Sequence, residues 1–170
     1  AIRNEARIAA EGRPARIVAK MNALLEPAII RELYAASQAG VEIDLIVRAI
    51  CALKPGVPGL SENIRVRSVV GRFLEHTRIF RYNNDGDDVV WLSSADWMDR
   101  NFFRRIELCF PVLDPKLRKR VIREGLRPYL EDNSQAWAMN EEGLHRRLVP
   151  GRARRHSAQE ELLDLLAASK

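Results

Sequence analysis

The sequence predicts an α/β domain in which a mixed β-sheet is flanked by α-helices. A strand, a helix and a second strand follow one another between Ala15 and Val47, the spacing of a βαβ unit with a parallel strand pair. Further short apolar segments follow at 64–70, 77–82 and 89–93, and the polar turn Asn83 to Asp88 between the last two reads as a hairpin loop containing Gly86. Helix starts at Glu26-Pro27, Asp114-Pro115 and Ser157 supply the covering layers.

Ala1 to Glu11 carries apolar residues at helical spacing and stops at Gly12-Arg13-Pro14. It reads like the middle of a helix and does not begin with Met, so the natural protein is expected to continue upstream. Ala15 to Met21 is short and apolar enough for a buried strand. The next helix has Pro27 at its first position and Gly40 just past its end. Val41 to Val47 alternates up to Asp44 and is then continuously apolar, as where a strand enters the middle of a covered sheet. Lys54 to Leu60 holds two Pro and two Gly, so it is a loop, and it follows a strand's C-terminal end, where open α/β sheets bind ligands. Strands are expected at Ile64 to Val70, Thr77 to Tyr82, Val89 to Ser93 and, last, Arg105 to Val112. Asp114 caps a helix of about 15 residues, and Ser157 with Glu160 forms a capping box before ELLDLLAAS. Between them the segment from His145 to His156 is basic and weakly patterned.

The 170 residues suit one domain; 46% are hydrophobic and 30% charged, the balance of a soluble globular protein. No apolar run approaches the roughly 18 residues of a membrane span. Arg3, Glu5, Arg7 and Glu11 interrupt the start, which is therefore not expected to be a signal peptide. Lys and Arg outnumber Asp and Glu by 28 to 23, which leaves nucleic acid, nucleotides, other polyanions and anionic lipid open as partners. Cys51 and Cys109 match no metal or redox spacing and read as reduced core residues of a cytosolic protein.

Chemistry concentrates at His76-Thr77-Arg78. At the start of a strand, period two puts His76 and Arg78 on one face. An imidazole beside a guanidinium can spread charge over phosphate oxygens and move a proton at a bridging oxygen. A histidine with a plain surface or hydrogen-bonding role is the alternative. Arg48 ends the apolar LIV run just before a loop, where it either grips phosphate bidentately or simply caps a strand end. Arg65 and Arg67 alternate along ENIRVRS, as an anion track or as a solvated strand face. Trp97 reads as packing. The arginines of 145–156 are either a solvated segment or a guide for a polyanion.

Four stretches go further: AKMNALLEPAIIRELYAASQAGVEIDLIVR (19–48), PGVPGLSENIRVRSVVGRFLEHTRIF (55–80), WLSSADWM (91–98) and RRIELCFPVLDP (104–115). Together, in this order and over nearly the whole chain, they resemble the C-terminal catalytic domain of bacterial polyphosphate kinases. The resemblance implies a phospholipase-D-like fold and reversible transfer of the terminal phosphoryl group of ATP to inorganic polyphosphate, with Mg2+. It implies that residues 1–170 are one domain of a longer enzyme, with the phosphohistidine nucleophile and the metal ligands on the missing preceding domain. His76 would face that nucleophile as the second histidine, transferring a proton or stabilising charge. Arg48 matches the ATP-binding arginine of the family's LVRG stretch, with Ala49 in place of its glycine, and His76 and Arg78 complete the phosphate-binding set.

Against the phospholipase-D signature, Arg78 stands at the Lys position, Asn83 at the Asp position, and Ser93-Ser94-Ala95-Asp96 at Gly-Ser-x-Asn. The expected partners are ATP or ADP, polyphosphate, the preceding domains and, in the full-length protein, further copies of it; nucleic acid is not expected. The expected location is the cytoplasm, extending to the periphery of the inner membrane. This chain alone is expected to be inactive. The competing readings are a phosphodiesterase of the same superfamily and a non-catalytic polyanion-binding module. For the site itself, Val41 to Val47 and Thr77 to Tyr82 are expected as neighbouring strands, with 54–60 as one wall and 93–96 as another.

Overall fold

In the computed structural model, which describes residues 1–168, eight strands make one mixed sheet. They are β1 (Arg16–Met21), β2 (Glu42–Val47), β3 (Ile64–Val69), β4 (Arg78–Tyr82), β5 (Val89–Ser93), β6 (Cys109–Pro111), β7 (Ala136–Met139) and β8 (His145–Arg147). Their order across the sheet is β6-β5-β4-β1-β2-β3-β7-β8. The central trio β1, β2 and β3 is parallel, and every other pairing is antiparallel. The βαβ unit read from the sequence is therefore present, joined by α2 (Pro27–Gln38). Glu26 caps α2 by accepting the Ala28 N–H at 3.1 Å. Gly40 turns the chain into β2 at φ +97°, a conformation open to glycine.

Alternation along β1 divides the core in two. Ile17, Ala19 and Met21 pack with Ile2 and Ile8 of α1 (Ile2–Ala10) and Leu33 and Ala36 of α2. Val18 faces the other way. It packs with Leu126, Tyr129 and Ala158 from the layer of α4 (Pro115–Val121), a π turn (Ile122–Leu126), α5 (Arg127–Glu131) and α6 (Ala158–Ala167). A short α3 (Asp99–Phe103) lies between β5 and β6. As expected, Asp114 caps α4, accepting from Lys116 N at 2.7 Å and Leu117 N at 2.9 Å.

Several expectations are corrected. The strand placed at Arg105 to Val112 shrinks to β6, three residues on the sheet edge; Ile106 and Leu108 find no neighbour to pack on and stay exposed. Cys109 is likewise exposed, and Cys51 only half-buried, so neither is a full core residue. Burial still raises the Cys51 thiol to about 11. Strands β7 and β8 were not expected. Basic β8 forms the far edge of the sheet, where charge discourages further strand pairing. Ser157 makes no side-chain cap for α6. Asp132 takes over by accepting the Ala158 N–H at 2.8 Å, while Glu160 is drawn to Arg155 at 2.6 Å. Among the described residues no helix is long and apolar enough to cross a membrane.

Candidate functional site at the strand ends

The parallel strands β1 and β2 end together at Met21 and Val47, and antiparallel β4 begins at the same end with Arg78. Arg48, His76 and Arg78 therefore meet at one sheet end, although β2 and β4 are not neighbours. β1 lies between them, because β4 returns to pair on β1's free side. Arg48 spans the gap, donating from Nη1 to the carbonyl of Glu75 at 2.7 Å.

Arg78 holds this end together. Its Nε and Nη2 grip Asp96 Oδ1 and Oδ2 at 3.1 and 2.9 Å, the two-pronged match of guanidinium to carboxylate. Both side chains are buried, 11% and 6% exposed, so the pair is held in one geometry. Asp96 Oδ1 also accepts from the backbone N–H of Asn22 at 2.7 Å and of Ala23 at 3.4 Å. Burial alone would raise the Asp96 carboxyl; the Arg78 and Asn22 donors outweigh it and hold the group below its ordinary value, ionised. The remaining prong, Nη1, lies 2.8 Å from His76 Nδ1 and 2.9 Å from the His76 carbonyl. A guanidinium only donates, so His76 Nδ1 is the acceptor, and the neutral imidazole carries its proton on Nε2. His76 is exposed, with that N–H free to face solvent or a substrate.

On the opposite face of the sheet stands Lys20, a buried cation among the apolar residues of β1. Its ammonium pairs with Glu75 at 2.9 Å, donates to Thr77 Oγ1 at 2.7 Å and lies 3.6 Å from the centre of the Tyr129 ring. Burial lowers the Lys20 pKa against the pull of Glu75. Burial would raise Glu75, yet Lys20 and its hydrogen-bond donors bring it below the ordinary value.

The other predicted groups lie elsewhere. Arg65 shares Asp44 with Arg16, at 2.8 and 2.7 Å. Asp44 lies four residues before Arg48, about 13 Å along the strand, so Arg65 is not at the strand end. Arg67 turns to α5 and donates to the Leu130 carbonyl at 2.5 Å, satisfying an orphan acceptor of that helix end. The structure does not bring either to His76. The loop 54–60 is tied to α2 through Tyr34 Oη and Gln38. The 93–96 wall is present: Ser93 stands opposite Arg78 in register, and Asp96 binds it.

Beside this wall opens a cleft of about 810 Å3 lined by Phe80, Tyr82, Trp91, Trp97 and Phe102 with Arg105 and Glu107. Trp97 stacks on Phe80 with centroids 4.8 Å apart, the packing role read for it. Glu107, which sequence reasoning passed over, accepts from Ser94 and Asn101, and these donors lower its pKa. Lys20 and Glu75 were also missed; a lone Lys inside ARIVAKM, whose charge needs a buried partner, was the available signal.

No cluster of three or more His, Cys, Asp and Glu side chains suited to a metal ion occurs among the described residues. Asp96 is taken by Arg78, and Glu75 by Lys20 and Tyr129. The residues present do not fit a Mg2+ site.

A parallel trio extended by antiparallel hairpins, with a histidine at the strand ends, defines a phospholipase-D-type α/β domain. The phospholipase D family member Nuc from Salmonella typhimurium has the same fold, with a TM-score of 0.55 at 15% identity over 81% of this chain and 90% of that one. Residues 1–159 match the family described as polyphosphate kinase C-terminal domain 2, and the chain belongs to that family. The polyphosphate kinase of Paraburkholderia phytofirmans is 62% identical over 157 residues, 92% of this chain and 23% of that protein. That of Xylella fastidiosa is 54% identical over 166 residues, 97% of this chain and 24% of its own length. The crystal structure of polyphosphate kinase from Porphyromonas gingivalis superposes with a TM-score of 0.94 at 40% identity, covering 99% of this chain and 26% of that one. The chain thus spans about a quarter of the length of these relatives.

Proposed function

We propose that the chain forms one half of the active site of an enzyme that transfers the terminal phosphoryl group of ATP to polyphosphate. The single observation that carries this reading is the Arg78 fork, which binds Asp96 with two prongs and His76 Nδ1 with the third. It leaves His76 Nε2–H as an outward donor. In phosphoryl transfer such a donor binds a phosphate oxygen and stabilises it as charge develops, while the imidazole keeps its proton. Arg48, anchored by one N–H, has further donors for phosphate oxygens. The attacking histidine, and the Mg2+ ligands, are assigned to a preceding domain, in keeping with relatives some four times longer. A cytoplasmic site of action, where ATP is abundant, fits this role.

Replacing His76 by Ala in an enzyme of the relatives' full length should cut transfer about 100- to 1,000-fold with ATP binding little changed. Near-normal rates would remove His76 from the site. Incubated with ATP, magnesium and polyphosphate, this chain alone should not turn over; rates of about 1–100 per second, ordinary for a kinase, would overturn the half-site reading. A polyanion-binding module would instead retain duplex DNA on a filter with a steep salt dependence.

A further inference from the structure

The segment 70–77 that carries His76 has neither helix nor strand. Apolar packing does not anchor it, since Val70, Phe73 and Leu74 are 54%, 46% and 78% exposed. A stretch so poorly packed would ordinarily open easily, yet it presents a histidine that must be held to a fraction of an ångström. Polar contacts hold it instead. Gln159, in the first turn of α6, grips Phe73 in both directions, accepting from its N–H at 2.8 Å and donating to its carbonyl at 2.8 Å. The same amide nitrogen donates to Glu75 Oε1 at 2.9 Å. Residue 71 is glycine, which leaves room for this amide; a Cβ there would lie 2.5 Å from Gln159 Oε1 and displace it.

Glu75 is the hub. Its Oε2 takes Lys20 and Tyr129, each at 2.9 Å, and its carbonyl takes Arg48 at 2.7 Å. Lys20 also holds Thr77, so both chain neighbours of His76 are fixed to one buried ammonium. His76 itself makes its ring contact with Arg78, which is held by Asp96.

We infer that Lys20, Glu75 and Gln159 form a positioning clamp that fixes the His76 imidazole for phosphoryl transfer and couples it to helix α6. The inference rests on the proposed role of His76. The clamp acts through backbone placement and touches no substrate.

Glu75→Ala leaves Lys20 buried without its partner and can fail to fold, so Gln159→Ala carries the test. It removes the grip on Phe73 without stranding a charge. Hydrogen–deuterium exchange of amides 72–77 should rise on the order of tenfold against unchanged protection in β1 and β2. In the full-length enzyme kcat should fall by up to about 100-fold, with KM for ATP within about twofold. Unchanged exchange at 72–77 overturns the clamp; so does faster exchange with unchanged kcat, or a loss that appears in KM alone. A wild-type enzyme without transfer to polyphosphate would sink the functional reading instead, and the exchange result would then decide by itself whether the clamp exists.

Discussion

Arg78–Asp96 and Lys20–Glu75 are both cation–carboxylate pairs at the same end of the sheet, each closing at 2.9 Å, on opposite faces of its strands. Their difference lies in the cation. A guanidinium has donors to spare after binding a carboxylate, and Arg78 gives the surplus to His76. An ammonium is a compact charge, and Lys20 is consumed by Glu75, Thr77 and the Tyr129 ring. One pair orients an imidazole. The other ties down the side chains on either side of that histidine. The contrast teaches what an arginine at position 78 supplies that a lysine would not: with Asp96 beside it, the fork both neutralises the carboxylate and selects the histidine tautomer.

That contrast can be broken most forcefully at Arg78. Arg78→Ala strands the buried Asp96 carboxylate and should cost about 3–5 kcal/mol of stability, read as the shift in the urea midpoint. Arg78→Lys restores the charge without the fork, so it should recover stability more fully than transfer rate; equal recovery of both would show that charge alone is what His76 needs. Lys20→Met should cost less, about 1–3 kcal/mol, because Glu75 keeps Tyr129 and Gln159 as donors.

Acid sharpens the same comparison. Asp96 and Glu75 both ionise below their ordinary values in the folded protein. Each therefore stabilises the fold above its unfolded value of about 4, and that stability is lost as pH falls through the lower folded value. Urea midpoints measured from neutrality down to about pH 2 should fall below about pH 4, and Asp96→Asn should flatten that limb. An unchanged limb would remove Asp96 from the linkage. The smallest effect is expected at Arg65→Ala: Asp44 keeps Arg16, so stability should change by less than about 1 kcal/mol and transfer should not change.

Much of this was legible in the sequence, and what was not has physical reasons. The βαβ unit, the Asp114 cap and the meeting of Arg48 with His76 and Arg78 follow from local periodicity, turn chemistry and the family blocks. Strand order does not. Nothing local in Arg78 to Tyr82 says that it pairs with β1 rather than β2. Strands β7 and β8, of four and three residues, are too short to display a period. At Ser157 the capping pattern was present but lost to Asp132, a partner 26 residues away from Ala158. Apolar residues at Ile106 and Leu108 read as a strand because pattern does not reveal whether anything will cover them.

The contact between Gln159 and Phe73 also sets an order of events. The two residues are 86 apart in the chain, so at about 5–20 residues per second the ribosome delivers Gln159 roughly 4–17 s after Phe73. Within that interval β1, β2 and β3 can emerge and pair, while the stretch bearing His76 still lacks its contact with Gln159. The nascent chain thus can complete its central strands well before the segment bearing His76 gains its hold on α6.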